Sequence, residues 1–247
     1  MTFTDRTCVV TGASRGIGRG IAEELGSQGA NVVVNYHYST DAAEEAAAAV
    51  EEAGGDAIAV QADVTDRDDV ATMAERTHET FGPVDVLVNN AGITQDTKFE
   101  SMSRDDWDRV IDVNLSGAFN TTKAFFSDVK SAEDGRLINI SSVIGKQGNY
   151  GQANYAAAKS GLFGLTRSLA LELASHESTA NVVAPGYTKT DMIEGVREDI
   201  KDRIREGIPL DRFAEIEEIA CVVRFLASED ASYVTGEVID VNGAMDL

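Results

Sequence analysis

The 247-residue chain has few of the side chains that build metal centres or basic surfaces: two cysteines, three histidines and seven lysines. Cys8 and Cys221 lie far apart inside apolar runs, with no Cys or His at ligand spacing, so both are expected as buried, reduced core thiols. His37, His78 and His176 are equally scattered, and no metal site is expected. No run approaches the ~20 apolar residues that span a bilayer. The opening residues, Met1 to Arg6, lack the basic and apolar segments of a signal peptide. A cytoplasmic protein that enters no membrane is the expectation.

Positive charge is scarce as well. Lys and Arg number 21 against 42 Asp and Glu, a formal charge of -21. This excludes a nucleic-acid binder that works by neutralising phosphates, since such proteins carry basic stripes. With 22 Asp, 20 Glu and so few Lys, the surface suits strong salt. The Debye length there falls to about 3 Å at molar concentration and self-repulsion is screened. The composition therefore reads as that of a halophile's protein.

Against these absences stands a regular alternation. Short Val/Ile-rich runs at 7–11, 31–36, 56–61, 84–89, 136–141, 180–184 and 237–241 are candidate strands. Helical spacing of Ala, Leu and Glu fills 16–28, 41–53, 67–80, 104–131, 153–175 and 214–227. Ser103 three residues before Asp106, and Thr65 before an acidic first turn, are start signals for two of these helices. Repeated strand-helix-strand units with wholly apolar strands predict an α/β, doubly wound Rossmann fold. Its seven-stranded parallel sheet would carry helices on both faces. No linker or repeat divides the chain, so a single domain over 1–247 is expected. The irregular stretch 186–210, with a helical piece near 193–205, would be a substrate lid.

Directly after the first strand comes Thr11-Gly12-Ala13-Ser14-Arg15-Gly16-Ile17-Gly18, opening a helix. Glycines here let the backbone approach a pyrophosphate, which rests on the helix N-terminus. The spacing is Gly-x-x-x-Gly-x-Gly rather than the usual Gly-x-Gly-x-x-Gly. The second strand ends Val34-Asn35-Tyr36-His37, with no carboxylate to bind ribose hydroxyls and repel a 2'-phosphate. Arg15 offers a guanidinium for that phosphate, so NADPH/NADP is favoured. Asp63-Val64 past the third strand suits the adenine, and Asn90-Ala91-Gly92 past the fourth would run alongside the cofactor.

After the fifth strand stands Ser142, and thirteen residues further Tyr155, with Lys159 at i+4 on the same helix face. A cation beside a phenol stabilises the phenolate and lowers its pKa, which tunes a general acid-base group. Ser142 lacks a Gly-x-Ser-x-Gly setting and an obvious His/Asp pair, so it is no hydrolase nucleophile.

Taken together, Thr11 to Gly18, Asn89 to Gly92, Asn114, Ser142, Tyr155, Lys159 and Pro185-Gly186 resemble the short-chain dehydrogenase/reductase family in order and spacing, over essentially the whole chain. The resemblance implies that Tyr155 moves the proton on the substrate oxygen and Ser142 orients that oxygen. It implies that Lys159 holds the nicotinamide ribose and lowers the tyrosine pKa, while Asn114 supports a proton-relaying water. Pro185, Gly186, Thr188 and Thr190 would meet the carboxamide end of the cofactor. A homotetramer is implied in the same way.

Within the family, Gly148 to Tyr155 resembles the 3-oxoacyl thioester reductases, with Asn149, Gln152 and Tyr187 as substrate contacts beside Ser142 and Tyr155. Two substrates compete, acetoacetyl-CoA in polyhydroxyalkanoate synthesis and 3-oxoacyl groups on acyl carrier protein. Where carrier-protein reductases carry basic residues to dock an acidic partner, this chain has Ser131-Ala132-Glu133-Asp134 and His176. The lid, through Thr190-Asp191-Met192 and Val196 to Asp199, also looks like the CoA branch. The glycine loop Ala13-Ser14-Arg15 looks like the carrier-protein branch. Acetoacetyl-CoA is the favoured expectation. A non-catalytic dinucleotide-binding protein and a reductase of some other ketone are the remaining readings.

Overall fold

The computed structural model describes residues 2–190, 193 and 195–245. Seven strands form one sheet: β1 (Thr7–Val10), β2 (Asn31–Tyr36), β3 (Asp56–Gln61), β4 (Val86–Asn89), β5 (Arg136–Ile140), β6 (Thr179–Pro185) and β7 (Val238–Val241). Their spatial order is β3-β2-β1-β4-β5-β6-β7 and every pairing is parallel. The predicted doubly wound architecture is thus observed. Its strand order reverses between β1 and β4, which opens a crevice at their carboxyl ends.

Alternation along the strands divides the core in two. Cys8, Val10, Val32 and Val34 face one side, where they meet α1 (Gly16–Gly26), α2 (Thr40–Ala53) and α9 (Ile216–Ala227). Val9, Val33, Leu87 and Leu137 face the other, against α3 (Arg67–Phe81), α5 (Gly117–Ser131) and α7 (Ala153–Leu173). A period of two sends neighbouring residues to opposite faces, and both faces are covered, so Val, Leu and Ile occupy both sides of the central strands.

Three local expectations are corrected. The continuous helix 104–131 is α4 (Arg104–Ile111), a π-helical turn (Asp112–Ser116) and α5. In the wide turn the Asn114 carboxamide donates to Val110 O at 2.9 Å, the carbonyl an α-helical residue 114 would serve through its backbone. Ser103 does cap α4, in a reciprocal capping box with Asp106. Thr65, however, does not cap α3: Asp66 does, accepting from the Asp68 and Asp69 N–H groups, while the Thr65 hydroxyl donates to Asp63. Cys221 is exposed rather than buried. It lies off the stripe of Ile219, Ala220, Val223 and Leu226 that α9 turns to the core. Cys8 is buried as expected, and burial pushes its thiol up to about 12.

The helical piece expected near 193–205 is α8 (Glu198–Glu206). Asp191 and Met192, in the resemblance to the CoA branch, lie outside the described residues. Ile193, Ile208 and Phe213 form a small separate apolar cluster that anchors this excursion, with Tyr187 packed against it. Among the described residues no helix is long and apolar enough to cross a membrane.

Candidate active site

The crevice between β1 and β4 holds a cavity of about 1020 Å³. One wall is the glycine loop. Gly12 has φ +63°, and a Cβ there would lie 2.9 Å from Ala91 Cα. A Cβ on Gly18 would clash with Asn90 Nδ2 and Gly12 O. The loops after β1 and β4 are stitched together as closely as these gaps imply. Thr11 Oγ1 accepts from the Asn90 and Ala91 N–H groups at 3.0 Å, and Asn90 Nδ2 donates to Thr11 O at 2.9 Å. The first turn of α1 has no side-chain cap, so its N–H groups are available to an anion.

Ser14, Arg15, Gly16 and Ile17 line this end with Asp63 and Val64. Arg15 is exposed and forms no ion pair among the described residues. Asn35 also lines the cavity, but its carboxamide is committed to the protein. It accepts from Gly12 N at 3.2 Å and donates to Ala62 O at 3.1 Å, so it shapes the loop. Past β2, the His37 and Tyr38 rings stack at 3.6 Å, and His37 Nε2 stands 3.5 Å from Asp63 Oδ2.

At the other end Ser142, Tyr155 and Lys159 converge, with Pro185, Gly186, Thr188 and Thr190 beside them. Lys159 is buried, its Nζ donating to Ile140 O at 2.9 Å and lying 5.7 Å from the Tyr155 ring centre. Loss of solvent pushes this ammonium down to about 8. Burial pushes the Tyr155 phenol above its ordinary value, its hydrogen bond with Ser142 acts the other way, and Asp96 adds to the rise. The net shift is upward, because desolvation of the phenol outweighs the Ser142 hydrogen bond. Asn114 lies just behind, its Nδ2 donating to Ile93 O at 2.9 Å. Among the described residues its buried Oδ1 has no protein partner, an acceptor that calls for a water or ligand donor.

The substrate side is only partly as expected. Gln152 lines the cavity, its Nε2 donating to Asp96 at 2.8 Å, and Tyr187, after β6, lines it as well. Asn149 is exposed and lies outside the cavity wall, between Gly148 and Gly151, both with positive φ, and its Nδ2 donates to Gln152 Oε1 at 2.9 Å.

Residues 12–245 match the family model described as enoyl-(acyl carrier protein) reductase. A Staphylococcus epidermidis 3-oxoacyl-(acyl-carrier-protein) reductase is 47% identical over 98% of this chain and 99% of its own length. The chain belongs to the short-chain dehydrogenase/reductase family. Reductases of the same name from Synechocystis and Escherichia coli K12 are 47% and 44% identical, covering 98% and 99% of both chains respectively. A crystal structure from Sinorhizobium meliloti 1021, described as a short-chain alcohol dehydrogenase, superposes with a TM-score of 0.94 at 36% identity. It covers 99% of this chain and 97% of its own.

Several residues that shape this short-chain reductase cavity were not foreseen. Asn154 is fully buried, and its Nδ2 donates to Gln95 O and Asp106 O while its Oδ1 accepts from Tyr155 N. It ties the tyrosine helix to α4 and to the loop after β4. Ser141 Oγ donates to Lys159 O at 2.8 Å. His37, Tyr38 and Asp96 border the two ends. None belongs to a local spacing pattern, so none was visible before strand order brought these loops together.

Proposed function

We infer that this chain is an NADPH-dependent reductase that converts a 3-oxoacyl thioester to the 3-hydroxyacyl thioester. The observation that carries this is the convergence of Ser142, Tyr155 and Lys159 in the same cavity as the glycine loop. The cavity fits a nicotinamide dinucleotide. Gly12 and Gly18 leave no space for side chains, the start of α1 offers free N–H groups, and Arg15, which forms no ion pair among the described residues, lines the same cavity as the end of β2, where the cofactor's ribose would be read. Ser14 to Gly18 would hold the pyrophosphate, Asp63 and Val64 the adenine, and Pro185 to Thr190 the carboxamide end.

When bound, the reduced nicotinamide supplies the hydride that goes to C3 of the substrate. Ser142 and Tyr155 hold the carbonyl oxygen, and the Tyr155 phenol gives that oxygen its proton as charge develops there. A neutral phenol is the form needed for this donation, and burial favours it. Lys159 uses one N–H on Ile140 O and keeps two for the ribose side. Asn114 Oδ1 holds the water through which the proton is replenished.

For the thioester carrier we favour CoA, with acetoacetyl-CoA as substrate. Ser178 Oγ, just before β6, donates to Val129 O in the last turn of α5, and the exposed residues flanking these two segments include Glu133, His176 and Glu177. That patch repels an acidic carrier. The relatives' names favour the carrier-protein substrate instead, and their full-length similarity makes it the second reading. The protein would act in the cytoplasm of a halophile, as a homotetramer. Exposed Phe119 and Leu171 on α5 and α7 favour that assembly.

NADPH oxidation in molar salt with acetoacetyl-CoA and with acetoacetyl-carrier protein tests the reading, with Tyr155→Phe as control. The CoA substrate should be preferred, and Tyr155→Phe should lower kcat by about 10²- to 10⁴-fold. Preference for the carrier protein moves the assignment to the second reading. Silence on both removes the thioester.

A further inference from the structure

The helix that carries Tyr155 starts without the usual side-chain cap. Gln152 stands at the N-cap of α7 and its carbonyl accepts the first helical bond from Ala156 N at 2.8 Å, but its side chain caps nothing. The carboxamide is turned to the cavity rim instead, where Nε2 donates to Asp96 and Oε1 accepts from Asn149. Tyr155 is the third residue of α7, and its N–H is one that an N-cap side chain would ordinarily serve. Asn154 takes over that part, its Oδ1 accepting from Tyr155 N at 2.8 Å. The same carboxamide donates to Gln95 O at 3.2 Å and to Asp106 O at 3.1 Å, and the residue is fully buried. Three of the four hydrogen bonds open to an asparagine side chain are thereby made within the protein.

Asn154 is also the inner rung of a ladder. Thr97 N donates to Gly151 O at 2.8 Å, Gln152 Nε2 to Asp96 Oδ1 at 2.8 Å and Asn154 Nδ2 to Gln95 O, so three successive residues of the loop after β4 are joined to the segment that enters α7. Asp96 is exposed, whereas Asn154 is shut off from water, where a lost partner is felt most. On the α4 side Gln95 Nε2 donates to the Asp106 carboxylate, itself fixed in the capping box with Ser103. Asn114 holds the same loop two residues earlier, at Ile93 O, and Thr94 between these two anchored carbonyls lines the cavity. We propose that Asn154 is a positioning residue for the reduction: it holds the backbone of Tyr155 against the loop after β4, and so aims the phenol at the substrate carbonyl. Asn154 itself does not line the cavity. The inference rests on the role given to Tyr155 above. Its physical basis is leverage, because Tyr155 reaches the cavity from the first turn of α7, helix ends fray, and any shift of the backbone there passes to the phenol oxygen.

The test compares wild type with Asn154→Ala and Asn154→Asp in molar KCl. The aspartate is nearly isosteric and keeps an acceptor for Tyr155 N, but when ionised it cannot donate to Gln95 O or Asp106 O, so it carries the test should the alanine variant fail to fold. Both variants should lose about 10²-fold in kcat with acetoacetyl-CoA, while KM and the NADPH dissociation constant, read by nicotinamide fluorescence, stay within about threefold. The solvent deuterium isotope effect on kcat should rise, because proton donation from a misplaced phenol is slower, and lost stability alone does not produce that change. Amide exchange of 93–98 and 151–158 should quicken by about tenfold in the absence of substrate. A kcat that stays at the wild-type level with an unchanged isotope effect, a loss shared equally by NADPH binding, or unaltered exchange in both segments overturns the proposal. If wild type reduces neither acetoacetyl-CoA nor acetoacetyl-carrier protein, the thioester reading falls, and amide exchange alone decides whether Asn154 holds Tyr155.

Discussion

Asn114 Oδ1 and Lys159 Nζ converge on Gly92: a methyl group added there would lie 2.6 Å from the first and 3.3 Å from the second. The π-helical turn delivers the carboxamide, the tyrosine helix delivers the ammonium, and the loop after β4 passes between them without a side chain.

Gly92→Ala should therefore push apart the two groups that flank the proposed water. We expect kcat to fall by about 10²-fold, the cost of misplacing catalytic groups by about an ångström. NADP+ affinity should fall less than kcat, because Gly92 and Lys159 flank only the nicotinamide side while the glycine loop and Arg15 are untouched. Steady-state kinetics with calorimetric binding separate the two; unaltered kcat would show that neither group has moved.

Lys159 makes a prediction about stability and pH. Its folded value near 8 lies below the ordinary lysine value of about 10.4, so between them the unfolded chain holds a proton that the folded chain has released. Stability contributed by this group therefore rises with pH across that window, by at most on the order of 3 kcal/mol. Urea unfolding from pH 8 to 9.5, compared with Lys159→Met, should show wild type gaining on the variant as pH increases. A constant difference would mean that the ammonium is not desolvated.

The charge of -21 predicts the direction of the salt effect. Raising KCl from 0.1 to 2 M should increase the Tm by about 5 to 10 °C, because self-repulsion is screened within a few ångströms. A Tm that stays flat in KCl would refute the reading of the composition as salt adaptation.

The two thiols should differ sharply in reactivity. Cys221 is exposed, whereas Cys8 is buried with its thiol held protonated. A thiol reagent should modify one cysteine in the native protein and the second only on unfolding, as read by mass spectrometry of the labelled peptides. Rapid native labelling of Cys8 would contradict its burial.

What the sequence determined by itself is what repeats locally. The alternation of apolar strands with helices announced the parallel sheet, because a strand covered on both faces has no polar side to show. The glycine loop and the Tyr155 and Lys159 pair were equally legible, since i and i+4 share a helix face and a loop between strand one and helix one has only one place to be. Tertiary structure decided what depends on distant segments meeting. The strand reversal between β1 and β4 set Gly12 against Ala91 and Gly92 between Asn114 and Lys159. The orientation of α9 exposed Cys221, which lies in as apolar a run as Cys8. Burial raised the Tyr155 phenol against the influence expected from its lysine, and Asn154, beside Tyr155 in the chain, acquired its role only from Gln95 and Asp106. Periodicity is a property of neighbours, whereas desolvation and close approach are sums over everything the fold brings near.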